Sequence, residues 1–206
     1  MPIHSRPRAS GRALLASLAF LGLSACGGDP TLYTLAPTPG ATLAGGPAVV
    51  EVRTPVVSTW LDRDEIVRQD KDYKLEIAKG DAWSEPLASM IGHTLSRDLS
   101  QRLPGTTVFA QNDAVATTPG AYVELTITGF NEDQKGNAQV QGMLSTHLST
   151  AGIGPVMTTP IQLQAHLDTH ATGHLVAALS TMLGTVADQA ADRLRALPVL
   201  PAAAAP

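Results

Sequence analysis

The chain has 206 residues, of which 44% are apolar, 16% charged and 4% aromatic, with a formal net charge of −4. That length suits one domain with appendages and supplies enough apolar residues for a core. The acidic balance and the shortage of rings exclude a nucleic-acid-binding surface, and a single cysteine excludes both a disulfide framework and every multi-cysteine metal site.

Arg6, Arg8 and Arg12 precede an apolar stretch from Ala13 to Leu23, followed by Ser24-Ala25-Cys26-Gly27. A basic region, a short apolar region and small residues make a secretory signal too short to span a bilayer. Small residues placed directly before the only cysteine match the bacterial lipoprotein pattern, which implies cleavage after Ala25 and lipid on the Cys26 sulfur. The alternative is an ordinary signal peptide whose cleavage site happens to hold a cysteine. With ~0.8 kcal/mol per buried CH₂, several acyl chains make attachment effectively permanent. In enteric bacteria an aspartate after the lipidated cysteine retains lipoproteins at the inner membrane, so Gly27 points to the outer membrane. Cleavage removes three of the 14 basic residues and none of the 18 acids, leaving a net charge of −7. Such a surface has no overall electrostatic reason to lie on anionic lipid.

Residues 26–47, from the lipidated cysteine through GGDPTLYTLAPTPGATLAGGP, read as a flexible tether with a short strand at Tyr33-Thr34-Leu35. Residues 198–206, PVLPAAAAP, read as a low-complexity tail. Between them, residues 48–197 form one domain.

Ala48 to Val57 is a β-branched run broken by Pro55. In Asp72 to Ala78, Tyr73, Leu75 and Ile77 alternate with Lys74 and Glu76, which predicts a strand with one buried face, ended by a turn at Gly80-Asp81. Ser84 to Leu103 predicts a helix capped by Ser84, with Glu85 and Pro86 in its first turn. Its stripe is Leu87, Met90, Ile91, Leu95, Leu99 and Leu103, and Pro104-Gly105 stops it. Thr106 to Ala110 is a short strand. A meander follows, with Val123, Leu125 and Ile127, then Val140, Leu144 and Leu148, then Ile161, Leu163, Ala165 and Leu167 on the buried faces. Turns fall at Asn131–Asn137 and Ala151–Pro155. His174 to Leu197 closes the domain as a second amphipathic helix, with Thr172-Gly173 at its cap. The expected fold class is α+β: a mixed or antiparallel sheet with two amphipathic helices packed on it.

No nucleophile elbow, phosphate-cradling glycine loop or His-Glu-x-x-His motif is present. His166, His170 and His174 recur every four residues with Asp168 between them, a spacing that would bind zinc on one continuous helix. Here it spans a strand end, a loop and a helix start, which favours solvated loop histidines over a metal site. Asp62-Arg63-Asp64-Glu65 reads as a solvated loop with local ion pairs rather than an acid–base pair, His93 as a surface residue, and Trp60 and Trp83 as core anchors. No catalytic residue, metal or cofactor is expected beyond the covalent lipid on Cys26.

The lipoprotein cysteine is followed by Tyr33-Thr34-Leu35, Trp60-Leu61-Asp62-Arg63 with Ile66-Val67, and Trp83-Ser84-Glu85-Pro86-Leu87. Leu99-Ser100-Gln101-Arg102-Leu103-Pro104-Gly105 and Ala177-Ala178-Leu179-Ser180 complete the pattern. This string resembles the ABC-type transport auxiliary lipoprotein family, the PqiC/YmbA-like group, over nearly the whole mature chain. Trp60 stands where tyrosine is expected and Asp64 where proline is usual. The resemblance implies a non-catalytic lipoprotein at the periplasmic face of the outer membrane. Its implied partners are an MCE-domain conduit and an inner-membrane permease or ABC transporter, and a homo-oligomer is implied. It singles out Asp62, Arg63, Trp83, Glu85 and Pro86 as partner-binding candidates. Two rivals stand beside docking: a lipid-binding carrier with an apolar pocket between helices and sheet, and a periplasmic hydrolase or metal enzyme using the histidines.

Overall fold

The computed structural model describes residues 1, 28–115, 117–150 and 154–198. The expected signal sequence after Met1, Cys26 with its lipid, the first part of the Ala151–Pro155 turn and all of the C-terminal tail after Pro198 lie outside the described residues.

The elements in chain order are β1 (Thr31–Tyr33), β2 (Val49–Val52), β3 (Val56–Val57), β4 (Glu65–Gln69), β5 (Leu75–Trp83), α1 (Leu87–Arg102), β6 (Thr107–Ala110), β7 (Ala121–Glu132), β8 (Asn137–Leu148), β9 (Met157–His166) and α2 (Thr172–Ala196). They make one α+β domain, as the patterning predicts. A mixed nine-stranded sheet is covered on one face by two helices lying side by side.

β7 is the hub. One of its edges is shared along its length by three parallel partners, β2 at Ala121–Val123, β3 at Thr126–Ile127 and β4 at Glu132. Its other edge carries β8 and then β9 as the antiparallel meander. Outside β4 lie β5 and then β1, and outside β2 lies β6. Both helix stripes are buried as read from their spacing, α1 through Leu87, Ile91, Leu95 and Leu99 and α2 through Leu175, Leu179, Leu183, Val186 and Leu194.

In β7, Val123, Leu125 and Ile127 face the core, and a bulge between Ile127 and Gly129 then shifts the parity so that Phe130 does. Gly142 sits opposite this bulge at φ 158°, where an added Cβ would run into the Thr126 carbonyl oxygen. The strand pair needs a residue without a side chain at that position. Gly142→Ala is expected to lower stability by ~1–3 kcal/mol, the range for forced overpacking, in a urea melt. A loss under ~0.5 kcal/mol, the surface-substitution range, would show that the bulge relaxes freely.

Three expectations are corrected. Residues 31–47 are not a free tether. β1 pairs with β5, Leu35 is buried beside Met90, and the chain from Ala36 to Ala44 runs as a strap along the seam between α1 and α2. Second, the Tyr73–Leu75–Ile77 alternation does not mark a buried face. Tyr73, Leu75 and Ile77 are 94%, 47% and 37% exposed, and β5 continues through Gly80, at φ 78°, to Trp83. The β4–β5 register breaks between Glu65 and Val67, so the hairpin's outer half stands clear of the core. Third, Ser84 does not cap α1. The helix starts at Leu87 after Pro86, and Ser84 spends its backbone N–H on the Tyr33 carbonyl at 2.8 Å.

Candidate functional site

Of the five positions singled out by resemblance, four fall on two surface segments that a backbone hydrogen bond ties together. Asp62 and Arg63 lie on the loop before β4, where Arg63 Nε holds Glu65 at 3.0 Å. That loop joins the Trp83–Pro86 block because the Trp83 N–H donates to the Asp64 carbonyl at 2.7 Å. Glu85 reaches His93 Nδ1 at 3.3 Å, and the Pro86 carbonyl starts α1 by accepting from Met90 N–H at 3.0 Å. Asp62, Arg63 and Pro86 are exposed and Glu85 is half-buried. Trp83 is separate from them in kind: 5% exposed, it packs its ring at 6.3 Å and a tilted 51° from Phe130. Trp60 is partly buried against the same core.

The three histidines do not converge. His166 faces Asn137 Oδ1 at 3.3 Å, His174 faces Thr169 Oγ1 at 3.2 Å, and His170 pairs with Glu132. Among the described residues no group of three or more His, Cys, Asp or Glu is arranged to hold a metal ion.

Spacing alone did not reveal two buried polar clusters. The first pins the strap. Arg102 is 1% exposed, donating through Nε to Asp188 at 2.5 Å and through its two terminal nitrogens to the carbonyls of Thr38, Asp98 and Gly184 at 3.0–3.1 Å. Thr38 N–H donates to Asp98 Oδ1 at 2.7 Å, and Leu43 N–H to the Arg102 carbonyl at 2.6 Å. Gly184 leaves room on α2 for the Thr38 side chain. The signal was an Asp–Arg pair at i, i+4 beside the Leu95–Leu99 stripe, a place where charge must be paired if it is buried.

Burial holds the Asp98 carboxyl above its ordinary range, against the pull of the Thr38 amide and Arg102; Asp188 adds to the rise. A carboxyl raised in the folded state keeps its proton longer than the unfolded chain does. Its contribution to stability therefore declines as pH rises from about 4 through the raised value. Asp98→Asn retains the acceptor for Thr38 N–H and removes that slope. Urea melts of the two proteins between about pH 4 and 8 should diverge, with the wild type losing ground to the variant as pH rises. Parallel curves would contradict the assignment.

The second cluster lies at the end of the sheet where β4, β7 and α2 meet. Arg68 pairs with Glu132 and donates to Thr172 Oγ1 at 3.0 Å, and Thr172 Oγ1 donates to Asp81 Oδ2 at 2.5 Å. His170 closes the group on Glu132. Burial pulls the Arg68 guanidinium down, while Asp81 and Glu76 oppose the shift. In front of it opens a cleft of about 610 Å³, whose rim includes Lys71, Lys79 and Lys135. The cleft at Arg68 is lined mainly by polar and charged groups, whereas that at Ser89–His93 mixes Val52, Ala88 and Ala110 with Thr54, Ser89, Gln111 and Asn112. No described helix is long and apolar enough to cross a membrane.

The model of the family described as ABC-type transport auxiliary lipoprotein component matches residues 33–191. No curated relative matches the chain. Among solved structures, one named only as the crystal structure of an uncharacterized protein superposes with a TM-score of 0.66 at 19% identity, covering 81% of this chain and 99% of the other. A Xanthomonas campestris protein assigned to the DUF330 family model superposes with a TM-score of 0.61 at 16% identity, covering 80% and 95%. At these identities the two structures establish the shared fold.

Proposed function

The chain belongs to the family of ABC-type transport auxiliary lipoprotein components, and from that premise we propose that it is a non-catalytic docking lipoprotein of an envelope lipid-transport system. In this reading Cys26 carries the lipid and the domain stands at the periplasmic face of the outer membrane. Copies of it receive an MCE-domain conduit served by an inner-membrane permease or ABC transporter. The observation that carries the reading is the family match over residues 33–191. The polar and charged lining of the Arg68 cleft supports docking over lipid carriage, and His166, His170 and His174 each face a different partner. The exposed Asp62–Arg63 loop, tied to the Glu85–Pro86 segment through the Asp64 carbonyl, is the proposed partner contact, with Trp83 holding the two together from inside.

In-cell crosslinking of the tagged, lipidated protein followed by mass spectrometry tests this. An MCE-domain protein should be recovered, and its recovery should be lost when Cys26→Ser removes the anchor. Recovery of the chain alone with bound phospholipid would overturn docking in favour of a carrier.

A further inference from the structure

We propose that the hairpin end of the sheet, comprising the β4–β5 tip and the turn between β7 and β8, lies against the bilayer, with Tyr73 and Leu75 seated at headgroup level. This rests on the reading that Cys26 is acylated, and it adds which end of the domain meets the lipid.

The first argument is the direction of the chain. β1 runs parallel to β5, with Thr31 opposite Asp81 and Tyr33 opposite Trp83. Traced backward from Thr31, the chain therefore heads toward the lower-numbered residues of β5, which is the way to the hairpin tip. The five residue steps to Cys26 span at most ~18 Å. The opposite end of the sheet, at Ala121 and Met157, lies roughly 25–30 Å of strand from the level of Thr31. An anchor on Cys26 reaches the hairpin end and falls short of the other.

The second argument is what that end displays. Tyr73 is 94% exposed, and Leu75 and Ile77 are 47% and 37% exposed. The chain's four lysines are Lys71, Lys74, Lys79 and Lys135, and all of them fall on this hairpin or on the β7–β8 turn beside it. A ring with a polar tip, flanked by apolar and lysine side chains, is the composition that settles at a membrane–water interface. Asp70, Asp72 and Glu76 alternate with the lysines, so the contact is interfacial insertion rather than attraction to anionic lipid.

The third argument is the turn itself. Asp72 and Tyr73 both stand at φ 61°, the left-handed pair at the centre of a type I′ hairpin turn, whose second position is usually glycine and here carries a ring. The turn is closed by Asp70 N–H to the Lys74 carbonyl at 2.9 Å, and the conformation turns the Tyr73 ring away from the protein.

The test uses the full lipidated chain, whose only cysteine is blocked by acylation, in vesicles of phosphatidylethanolamine and phosphatidylglycerol. Nitroxide labels are placed at Tyr73→Cys, Leu75→Cys and, at the far end, Val156→Cys, a site 65% exposed. Flotation with the vesicles is scored first, and collision with oxygen and with an aqueous nickel chelate then reports depth. Labels at 73 and 75 should be shielded from nickel and open to oxygen, unchanged by salt, while the label at 156 remains fully aqueous. Equal nickel access at 73 and 156 in floated protein would overturn the orientation while leaving the anchor intact. Dipolar broadening between labels at 73, without lipid depth, would overturn it in favour of a second copy on the same edge. Failure to float would overturn acylation and the orientation with it.

Discussion

Arg102→Ala is expected to destabilise the domain by ~3–5 kcal/mol, the range for removing one partner of a buried charge pair. The side chain is 1% exposed, and its loss leaves Asp98 buried without its cation and the carbonyls of Thr38 and Gly184 without a donor. A urea melt reads the stability, and limited proteolysis reads the location. Cleavage should appear between Ala36 and Ala44, because the guanidinium is what the strap is bonded to. Arg102→Lys should recover part of the loss, since an ammonium keeps the charge but not the fork that serves Asp188 and three carbonyls together. A variant within ~1 kcal/mol of wild type, with the strap still protected, would mean that β1 and Leu35 hold the segment unaided.

Trp83→Ala is expected to lower stability by ~3–5 kcal/mol, as for other buried aromatic truncations. The ring is 5% exposed and shares the core with Phe130, Leu35 and Leu87. The same substitution decides what Trp83 is for. Loss of stability with partner capture restored by Trp83→Phe marks a core anchor that shapes the Asp62–Arg63 and Glu85–Pro86 segments. A variant that folds normally yet captures no partner would make it a contact residue and contradict its burial.

What the sequence made legible were features in which one element's own pattern decides its environment. The leucines of α1 and α2 recur at helical spacing because each helix buries one side. Val123, Leu125 and Ile127 alternate because β7 has one wet face. The rest failed for non-local reasons. Residues 31–47 have a linker's composition, yet Thr38 is ordered by Asp98, 60 positions away, and Ala36 by Ser180, 144 positions away. No local window contains those partners. Tyr73, Leu75 and Ile77 have the rhythm of a buried strand, but Tyr73 and Leu75 extend past Glu132, the last residue of β7, and Ile77 is still 37% exposed beside it. In the site, Asp62, Arg63, Glu85 and Pro86 came from resemblance, and the structure ties their two segments together through the Trp83 N–H and the Asp64 carbonyl. The Arg68–Glu132–Thr172–Asp81 group was invisible because four separate elements contribute one residue each.

The parallel pairing of β1 with β5 also decides how the domain answers force. Tension applied to the chain upstream of Thr31 runs along the axis of β1, so its hydrogen bonds to β5 are loaded together, in shear, instead of being peeled one after another. Behind them, the strap's bonds to Met90, Ser180, Asp98 and Arg102 tie the next stretch of chain to both helices. Pulled from this side, the chain meets two successive sets of bonds before the core is reached.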